Sequence, residues 1–376
     1  MKIIIASDKF KGSLSASEAC TAIREGIIDK FPTIETIELP LADGGNGTAE
    51  ILAESTHGKM ISCKVHDPLF RLIKSRYGIS GDGNTAFVEM AAASGLELLK
   101  NEERNCYNTT TLGTGELILE ACNKDVKKII LCIGGSATND AGTGMATALG
   151  YRFYDADNNL LEPIGKNLQL IHNIDDSKVD TRLNNIEFEV ACDVDNPLYG
   201  PMGAAWIYGP QKGAGEDELR ALDKGLQHFA TLAEQKYGYN VQSIPGSGAA
   251  GGLGGGALIF LSAKLIRGID IVLAFLKIEE QLRNSSWVIT GEGKLDLQSL
   301  NGKVIQGLAR LSAKYQIPVI ALAGKLELSE AEIYECGLRS AYCITPPGSS
   351  QEEALKNASA NLRHMAGKMA LEHFKF

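Results

Sequence analysis

Glycine-rich segments that could bind phosphate occur at three places where the pattern predicts a strand followed by a helix. The first contains Gly134, Gly135, Ser136, Ala137, Thr138 and Asn139, and it follows the apolar run 128–133 and precedes a predicted helix over 145–149. Small residues at the start of a helix expose backbone N–H groups, which suit an anion. We predict phosphate binding here in preference to a packed tight turn.

The second segment contains Gly291, Glu292, Gly293 and Lys294, after the predicted strand 287–290. It could offer amides and a cation, or Lys294 and Asp296 could form a solvated ion pair. The pattern leaves both interpretations open.

The third segment runs from Asp43 to Thr48, between a strand predicted over 37–42 and a helix over 48–54. Asp43 ends the strand, so it could bind Mg²⁺ or a substrate hydroxyl. Thr48 could instead be an N-cap, with the glycines serving only the turn.

Carboxylates and lysines near strand ends are the other candidates. Asp193 and Asp195 follow the apolar run 188–192, and Pro197 prevents simple continuation of that strand. Asp193 could accept a hydroxyl proton in phosphoryl transfer, although acidic residues at strand ends are often turn formers. Asn196 could bind a metal or close an Asx turn. Lys11 and Lys212 could neutralise phosphate, although either lysine alone fits a surface charge better than a ligand.

Composition restricts the classes of partner. The chain has 376 residues and a formal net charge of −9, which argues against a nucleic-acid or anionic-membrane partner. Its eight cysteines are scattered singly, as in reduced thiols of a cytoplasmic protein, and neither they nor the six histidines have zinc-ligand spacing. Neither a targeting segment nor a membrane-spanning segment is predicted.

Short apolar runs alternate with glycine-rich turns and amphipathic stretches, which predicts a mainly parallel α/β fold. Runs near both termini share one simple pattern. We therefore predict one domain from residues 1–74 plus 281–376 and an inserted α/β domain over 75–280, with a split into two halves as the alternative.

One motif indicates a different class of enzyme. Residues 246–251 spell the dinucleotide fingerprint, and Asp270 lies at the distance at which that motif expects an acidic residue. This keeps an NAD-dependent hydroxy-acid dehydrogenase as a rival, although close backbone packing explains the glycines better. A P-loop is excluded because neither Gly302-Lys303 nor Gly324-Lys325 is followed by Ser or Thr.

The succession of motifs resembles the bacterial type I glycerate kinases over essentially the whole chain. The motifs that carry the resemblance are DKFKGSLSA at 8–16, ADGGNGT at 42–48, EMAAASGL at 89–96, GTGEL at 113–117, the segment 134–144, CDVDNPL at 192–198, GPQKGA at 209–214 and TGEGKLD at 290–296. The resemblance implies two α/β domains around a cleft, one of them Rossmann- or flavodoxin-like. It also implies Mg²⁺-dependent transfer of the ATP γ-phosphoryl group to D-glycerate, giving 2-phosphoglycerate.

The resemblance also implies roles for residues. Asp193 becomes the expected base and Lys11 a catalytic cation; residues 134–139 and 291–294 become nucleotide or phosphate ligands; and Asp43 and Asp195 become metal ligands, with Asp195 the weaker candidate. The expected substrate ligands are Asp8, Asp43, Asn196, Lys212 and Asp296.

Three residues depart from the pattern of that family, namely Asn46 for Glu, Ala141 for Gly and Lys294 for Arg. Four questions stay open: which hydroxyl is phosphorylated, which loop binds ATP, whether the protein is a non-catalytic nucleotide sensor, and whether it forms a homodimer.

Overall fold

The computed structural model of the protein describes residues 1–297 and 304–374. The chain forms two compact units, one from Met1–Asp43 with Ile269–Phe376 and the other from Gly44–Gly268. Elements are numbered along the chain. The predicted boundary after residue 74 differs from the one after Asp43 because strand β3 (Lys59–His66) pairs along its length with β4 (Leu72–Ile79) of the second unit. The predicted boundary after residue 280 differs from the one after Gly268 by about a dozen residues.

The first unit is built on a parallel five-stranded sheet in the order β13-β12-β11-β1-β2. Its strands are β1 (Lys2–Ile5), β2 (Glu35–Glu38), β11 (Trp287–Leu295), β12 (Val319–Leu326) and β13 (Ser340–Cys343). The chain moves from β1 to β2 on one side, and from β11 through β12 to β13 on the other. This is the flavodoxin-like order, and its topological switch point lies between β1 and β11.

Helices cover this sheet, and their buried faces form the core with Ile3, Ile5 and Ile289. Those helices are α1 (Ala16–Ile28), α9 (Gly268–Phe275), α10 (Ile278–Leu282), α11 (Val304–Ala313), α12 (Glu330–Glu335), α13 (Gln351–Lys356) and α14 (Ala358–His373). Helices α1 and α14 approach closely at Gly26, where a Cβ atom would lie 2.0 Å from the Arg363 carbonyl oxygen. Only glycine fits that position without movement of a backbone.

The second unit contains a mixed six-stranded sheet in the order β10-β9-β6-β5-β4-β3. Besides β3 and β4 it comprises β5 (Thr85–Glu89), β6 (Lys128–Cys132), β9 (Glu187–Ala191) and β10 (Lys264–Ile266). Strands β5, β6, β9 and β10 are parallel, whereas β3, β4 and β5 pair antiparallel. A separate hairpin-like sheet pairs β7 (Arg152–Tyr154) with β8 (Asn173–Asp175).

Helices of the second unit pack around a core that includes Tyr77, Phe87, Phe153 and Phe229. They are α2 (Thr48–Ser55), α3 (Ala91–Ser94), α4 (Leu112–Cys122), α5 (Thr143–Ala148), α6 (Ala204–Tyr208), α7 (Glu216–Tyr237) and α8 (Ala249–Leu261). Within the described ranges, no helix is both long and apolar enough to cross a lipid bilayer.

The apparent dinucleotide fingerprint is a packing feature. No strand leads into Gly246, and Ala250, Gly251 and Gly252 have left-handed φ values of 54°, 70° and 87°. A Cβ atom on Gly251 would lie 2.0 Å from the Thr138 carbonyl oxygen. The explanation by close backbone packing is confirmed, and the structural support for a dehydrogenase is lost.

Candidate active site

A cavity of about 810 Å³ lies in the first unit, beyond the carboxyl ends of β1, β11, β12 and β13. Its lining includes six residues of the predicted site: Asp8, Lys11 and Asp43, and from the β11 segment Glu292, Gly293 and Lys294. Ligands of open α/β sheets bind in this position, where loops after adjacent strands diverge.

Asp8 is held at the end of β1 by backbone contacts. Its N–H donates to the Gly291 carbonyl oxygen at 2.9 Å, and its Oδ1 accepts from the Lys9 N–H at 2.7 Å. Burial, assisted by the negative charge of Asp43, raises the pKa of Asp8 to about 7. Two carboxylates that repel one another in a partly buried site are favourably placed for a cation.

Lys11 is exposed at the cavity, and the structure records no ion pair for it within the described residues. Its backbone runs close to β11, since a Cβ atom on Gly293 would lie 3.2 Å from the Lys11 nitrogen. The lysine can therefore reach an anion in the cavity without first breaking an ion pair.

The segment 291–294 is not the predicted loop, because β11 continues through it to Leu295 and pairs there with β12. Lys294 does form the foreseen ion pair with Asp296, at 2.9 Å, and a second with Glu327 at 2.8 Å. Because this backbone is paired with β12, the segment is the end of a strand with paired charges and not a loop of free amides.

In the second unit the segment 134–139 follows β6 and divides into two parts. Gly134 and Gly135 are exposed, whereas Ser136 through Asn139 are buried. Gly135 adopts a left-handed φ of 76°, and a Cβ atom there would lie 3.1 Å from Asn46 Oδ1. The first and third glycine-rich segments therefore lie in contact.

Lys212 lies beneath this loop and is only 2% exposed. Its ammonium group donates to Ser136 Oγ at 2.6 Å and to the Thr138 carbonyl oxygen at 2.8 Å. Burial lowers the pKa of Lys212 to about 8. The lysine thus fixes the loop and brings a positive charge to it.

Asp140 is a second anchor, which the sequence did not identify as one. The buried carboxylate accepts hydrogen bonds from the Thr111 N–H and hydroxyl, both at 2.8 Å, and from the N–H groups of Gly142 and Gly144, both at 3.1 Å. Although these bonds favour the ion, the larger effect of burial raises the pKa of Asp140. Its position at the end of the GGSATND run was the available signal.

Buried polar atoms of the same loop lack hydrogen-bond partners within the described part of the chain. They are Thr138 Oγ1 and both the Nδ2 and Oδ1 atoms of Asn139. Unpaired buried polar groups are costly and uncommon. Their presence next to exposed glycine amides fits a loop that receives a polar ligand.

Asp193 and Asp195 follow β9 and are both exposed. Asp193 Oδ1 accepts from the Gly268 N–H at 2.9 Å, which orients the carboxylate. Asn196 donates to the Met202 carbonyl oxygen at 2.8 Å and accepts from the Tyr208 hydroxyl at 2.6 Å, so its side chain closes the local loop.

Metal binding by Asp43 and Asp195 stays a prediction. Within residues 1–297 and 304–374, no group of three or more His, Cys, Asp or Glu side chains is arranged to bind a metal ion. Mg²⁺ commonly uses one or two carboxylates together with substrate phosphates, so a pair such as Asp8 and Asp43 fits its chemistry.

Together, a flavodoxin-like unit with a cavity at its switch point and a second unit with a lysine-supported glycine loop define an α/β protein suited to phosphorylated small molecules. Comparison with known proteins is more specific. Residues 3–372 match the Glycerate kinase family.

Relatives match over nearly their whole length. Glycerate kinase of Bacillus subtilis (strain 168) is 45% identical over 98% of this chain and 97% of its own, and Glycerate 2-kinase of Escherichia coli (strain K12) is 44% identical over 99% and 98%. A crystal structure of a candidate glycerate kinase 2 from Salmonella typhimurium LT2 superposes with a TM-score of 0.90, at 44% identity, over 99% and 98% of the two chains. The chain belongs to the glycerate kinase family, as the motifs predicted.

Proposed function

We propose that the protein transfers the γ-phosphoryl group of ATP to D-glycerate and forms 2-phosphoglycerate and ADP. The observation that carries this proposal is the match, over nearly all of both chains, to relatives named glycerate kinase and glycerate 2-kinase. The cavity that contains Asp8, Lys11 and Asp43 supports it, because phosphoryl transfer needs both carboxylates for metal and cations for phosphate.

Magnesium would be held by Asp8 and Asp43, with Asp195 as the weaker predicted ligand. When bound, the ion neutralises charge on the phosphates. The Asp8–Asp43 repulsion gives a reason for binding, since a cation would relieve it. The chain's own contribution is to hold the two carboxylates in the loops that follow β1 and β2, where the Asp8 backbone is tied to β11.

Asp193 would act as the general base. It accepts the proton of the glycerate C2 hydroxyl as that oxygen forms a bond to the γ-phosphorus, while the bond between the γ-phosphorus and the β,γ-bridging oxygen breaks and its electron pair leaves with ADP. The hydrogen bond from the Gly268 N–H holds one carboxylate oxygen in place.

Cations and amides would stabilise the charge on the transferring group. We assign Lys11 to the phosphoryl oxygens, residues 134–139 and 291–294 to phosphate contacts, and Asn196, Lys212 and Asp296 to the glycerate side of the reaction. Lys212 would act through the loop that it supports, because its ammonium already contacts Ser136 and Thr138.

The direct test is ADP release with Mg-ATP and D-glycerate, followed by phosphorus NMR of the product. We expect a 2-phosphoglycerate signal, and we expect Asp193→Asn to lower kcat about 100-fold or more, as loss of a general base does. Asp217→Asn, at an exposed position on α7, is the matched control. A wild-type protein that releases no ADP, or an Asp193→Asn variant with unchanged turnover, would refute the corresponding assignment.

We further propose that the reaction takes place in the cytoplasm and that both of its substrates are small molecules. All eight cysteines are free thiols in the structure, which suits a reducing compartment.

A further inference from the structure

The cavity of the first unit is large for a three-carbon acid. Its volume of about 810 Å³ lies in the range of roughly 300–1,000 Å³ that is typical of pockets for drug-sized ligands. If the proposed reaction holds, its larger substrate is the nucleotide. Size alone therefore favours the nucleotide as the occupant of this cavity.

The position of the cavity favours the same occupant. The loop after β1, which contains Asp8 and Lys11, and the end of β11, which contains Glu292 and Lys294, flank the point where the strand order reverses. In sheets of this order the switch point is where nucleotides and related cofactors bind.

The walls of the cavity combine apolar and cationic side chains. Leu355 of α13 lines it and is 38% exposed, so its side chain is accessible from the cavity, and Ile344 and Pro346 line it as well. A Cβ atom on Gly12 would lie 3.8 Å from Leu355 Cδ2, so this leucine borders the loop that contains Lys11. An apolar surface beside Lys11, which has no ion pair among residues 1–297 and 304–374, matches a nucleoside joined to phosphates.

The glycine loop of the second unit has a different character. Residues 136–139 are buried and the Lys212 ammonium is already engaged, so only Gly134 and Gly135 are open to a ligand. This loop can contact a phosphoryl or carboxylate group, but its described residues offer no apolar surface comparable with Leu355.

We propose that the adenosine part of the nucleotide binds in the cavity of the first unit, with Leu355 in contact with the base or ribose and Lys11 in contact with a phosphate. Leu355 is then a nucleotide-specificity residue that the motifs did not identify. This inference rests on the proposed function, since it names the site at which that reaction takes its phosphoryl donor.

The test uses ADP as the probe and calorimetric titration of the full-length protein in the absence of glycerate. Leu355→Asp removes the apolar contact and places a negative charge beside the phosphates, so we expect the dissociation constant for ADP to rise at least about 10-fold. Leu355→Met, which keeps the apolar surface, should bind within about 2-fold of wild type. Leu371→Asp is the matched control, because Leu371 is 59% exposed on α14 and does not line the cavity.

Steady-state kinetics separate the two substrates. We expect Leu355→Asp to raise the KM for ATP and to leave the KM for glycerate, measured at saturating ATP, within about 2-fold of wild type. Unchanged ADP affinity in a folded Leu355→Asp variant, or a rise confined to the KM for glycerate, would overturn the inference. A wild-type protein that binds ADP through Leu355 but does not phosphorylate glycerate would sink the proposed function and leave the inference standing.

Discussion

Replacement of Lys212 by Met tests how a buried charge supports the glycine loop. The ammonium is buried, and its pKa falls to about 8 in the folded protein from an ordinary value of 10.5. A lysine whose folded-state pKa is lowered binds fewer protons in the folded than in the unfolded chain. Its unfavourable contribution to stability is therefore complete below pH 8 and disappears as pH rises towards 10.5.

The magnitude follows from these two values. Between pH 7 and pH 9.5 the free energy of unfolding of the wild type should rise relative to Lys212→Met by about 2 kcal/mol. Cys106, whose pKa burial raises to about 11, titrates with the opposite sign, but it is present in both proteins. The charges of Cys106 and Lys212 interact, so the difference between the two proteins reports the titration of Lys212 together with that interaction.

Urea unfolding at several pH values measures this difference. Trp206 lies in the same unit as Lys212, so a Trp287→Phe background makes tryptophan emission report on that unit alone. Lys224→Met, at an exposed position on α7, is the control and should give a profile parallel to that of the wild type. Parallel profiles for wild type and Lys212→Met would show that Lys212 does not titrate as a buried group, and the reasoning would fail.

Activity should fall for a separate reason. Lys212→Met removes two charge-assisted hydrogen bonds, to Ser136 Oγ and to the Thr138 carbonyl oxygen, each worth about 1.5–3 kcal/mol. A loop released in this way should lower kcat/KM about 10- to 100-fold, if part of that energy positions the loop in the transition state. Full activity in a folded Lys212→Met protein would contradict the positioning role.

Two further substitutions test the first unit. Asp8→Asn should stabilise the protein at pH 8 by about 2 kcal/mol and at pH 5 by less, because the folded-state pKa of Asp8 is raised to about 7 and the folded wild type becomes less stable as pH rises from about 4 to 7. Equal urea midpoints for both proteins at pH 8 would contradict this. The same variant should need more Mg²⁺ for half-maximal activity. Gly26→Ala should lower the free energy of unfolding by about 2 kcal/mol or more, because the new Cβ atom would lie 2.0 Å from the Arg363 carbonyl oxygen. Thermal unfolding measures that loss against Gly215→Ala, whose Cβ atom would meet only Glu218 at 3.9 Å, and equal losses would show that α1 and α14 separate easily.

Sequence patterns located several of the parallel strands, because those strands form short, largely apolar runs. The predicted runs at 128–133, 188–192 and 287–290 correspond to β6, β9 and the first part of β11. Strands β3 and β4 were not predicted, since exposed and buried residues mix along both and leave no continuous apolar run, and the short buried strand β5 was missed as well. The predicted boundary after residue 74 differs from the bound of the compact unit at Asp43 because the pattern did not identify β3 and β4 as paired strands.

The sequence identified charged candidate residues of the site, but it did not show which residues they contact. The motif at 209–214 pointed to Lys212, yet only the fold shows that its ammonium contacts the loop at 134–139, more than seventy residues earlier in the chain. The role of Asp140 was equally hidden, because its main partner Thr111 comes from the start of α4. Long-range hydrogen bonds leave no periodic signal in a sequence.

The departures from the family pattern have different physical weights. Ala141 stands where glycine is expected, and its φ of 51° is left-handed, a conformation that costs a residue with a Cβ atom about 1–2 kcal/mol. The surrounding structure holds it there, because the Ala141 N–H donates to the Gly251 carbonyl oxygen at 3.0 Å and its methyl group lies in the core. This departure therefore strains the loop but leaves its charge unchanged.

Asn46 is the departure with consequences for binding. Its amide nitrogen lies 3.2 Å from Glu97 Oε2, and its Oδ1 lies beside Gly135, one of the two exposed glycines of the phosphate-ready loop. A glutamate at this position would bring a negative charge to the place where we expect phosphate, and would need a metal ion to offset the repulsion. The amide of Asn46 adds no charge of its own and donates a hydrogen bond to the Glu97 carboxylate, so the negative charge at this place comes from Glu97.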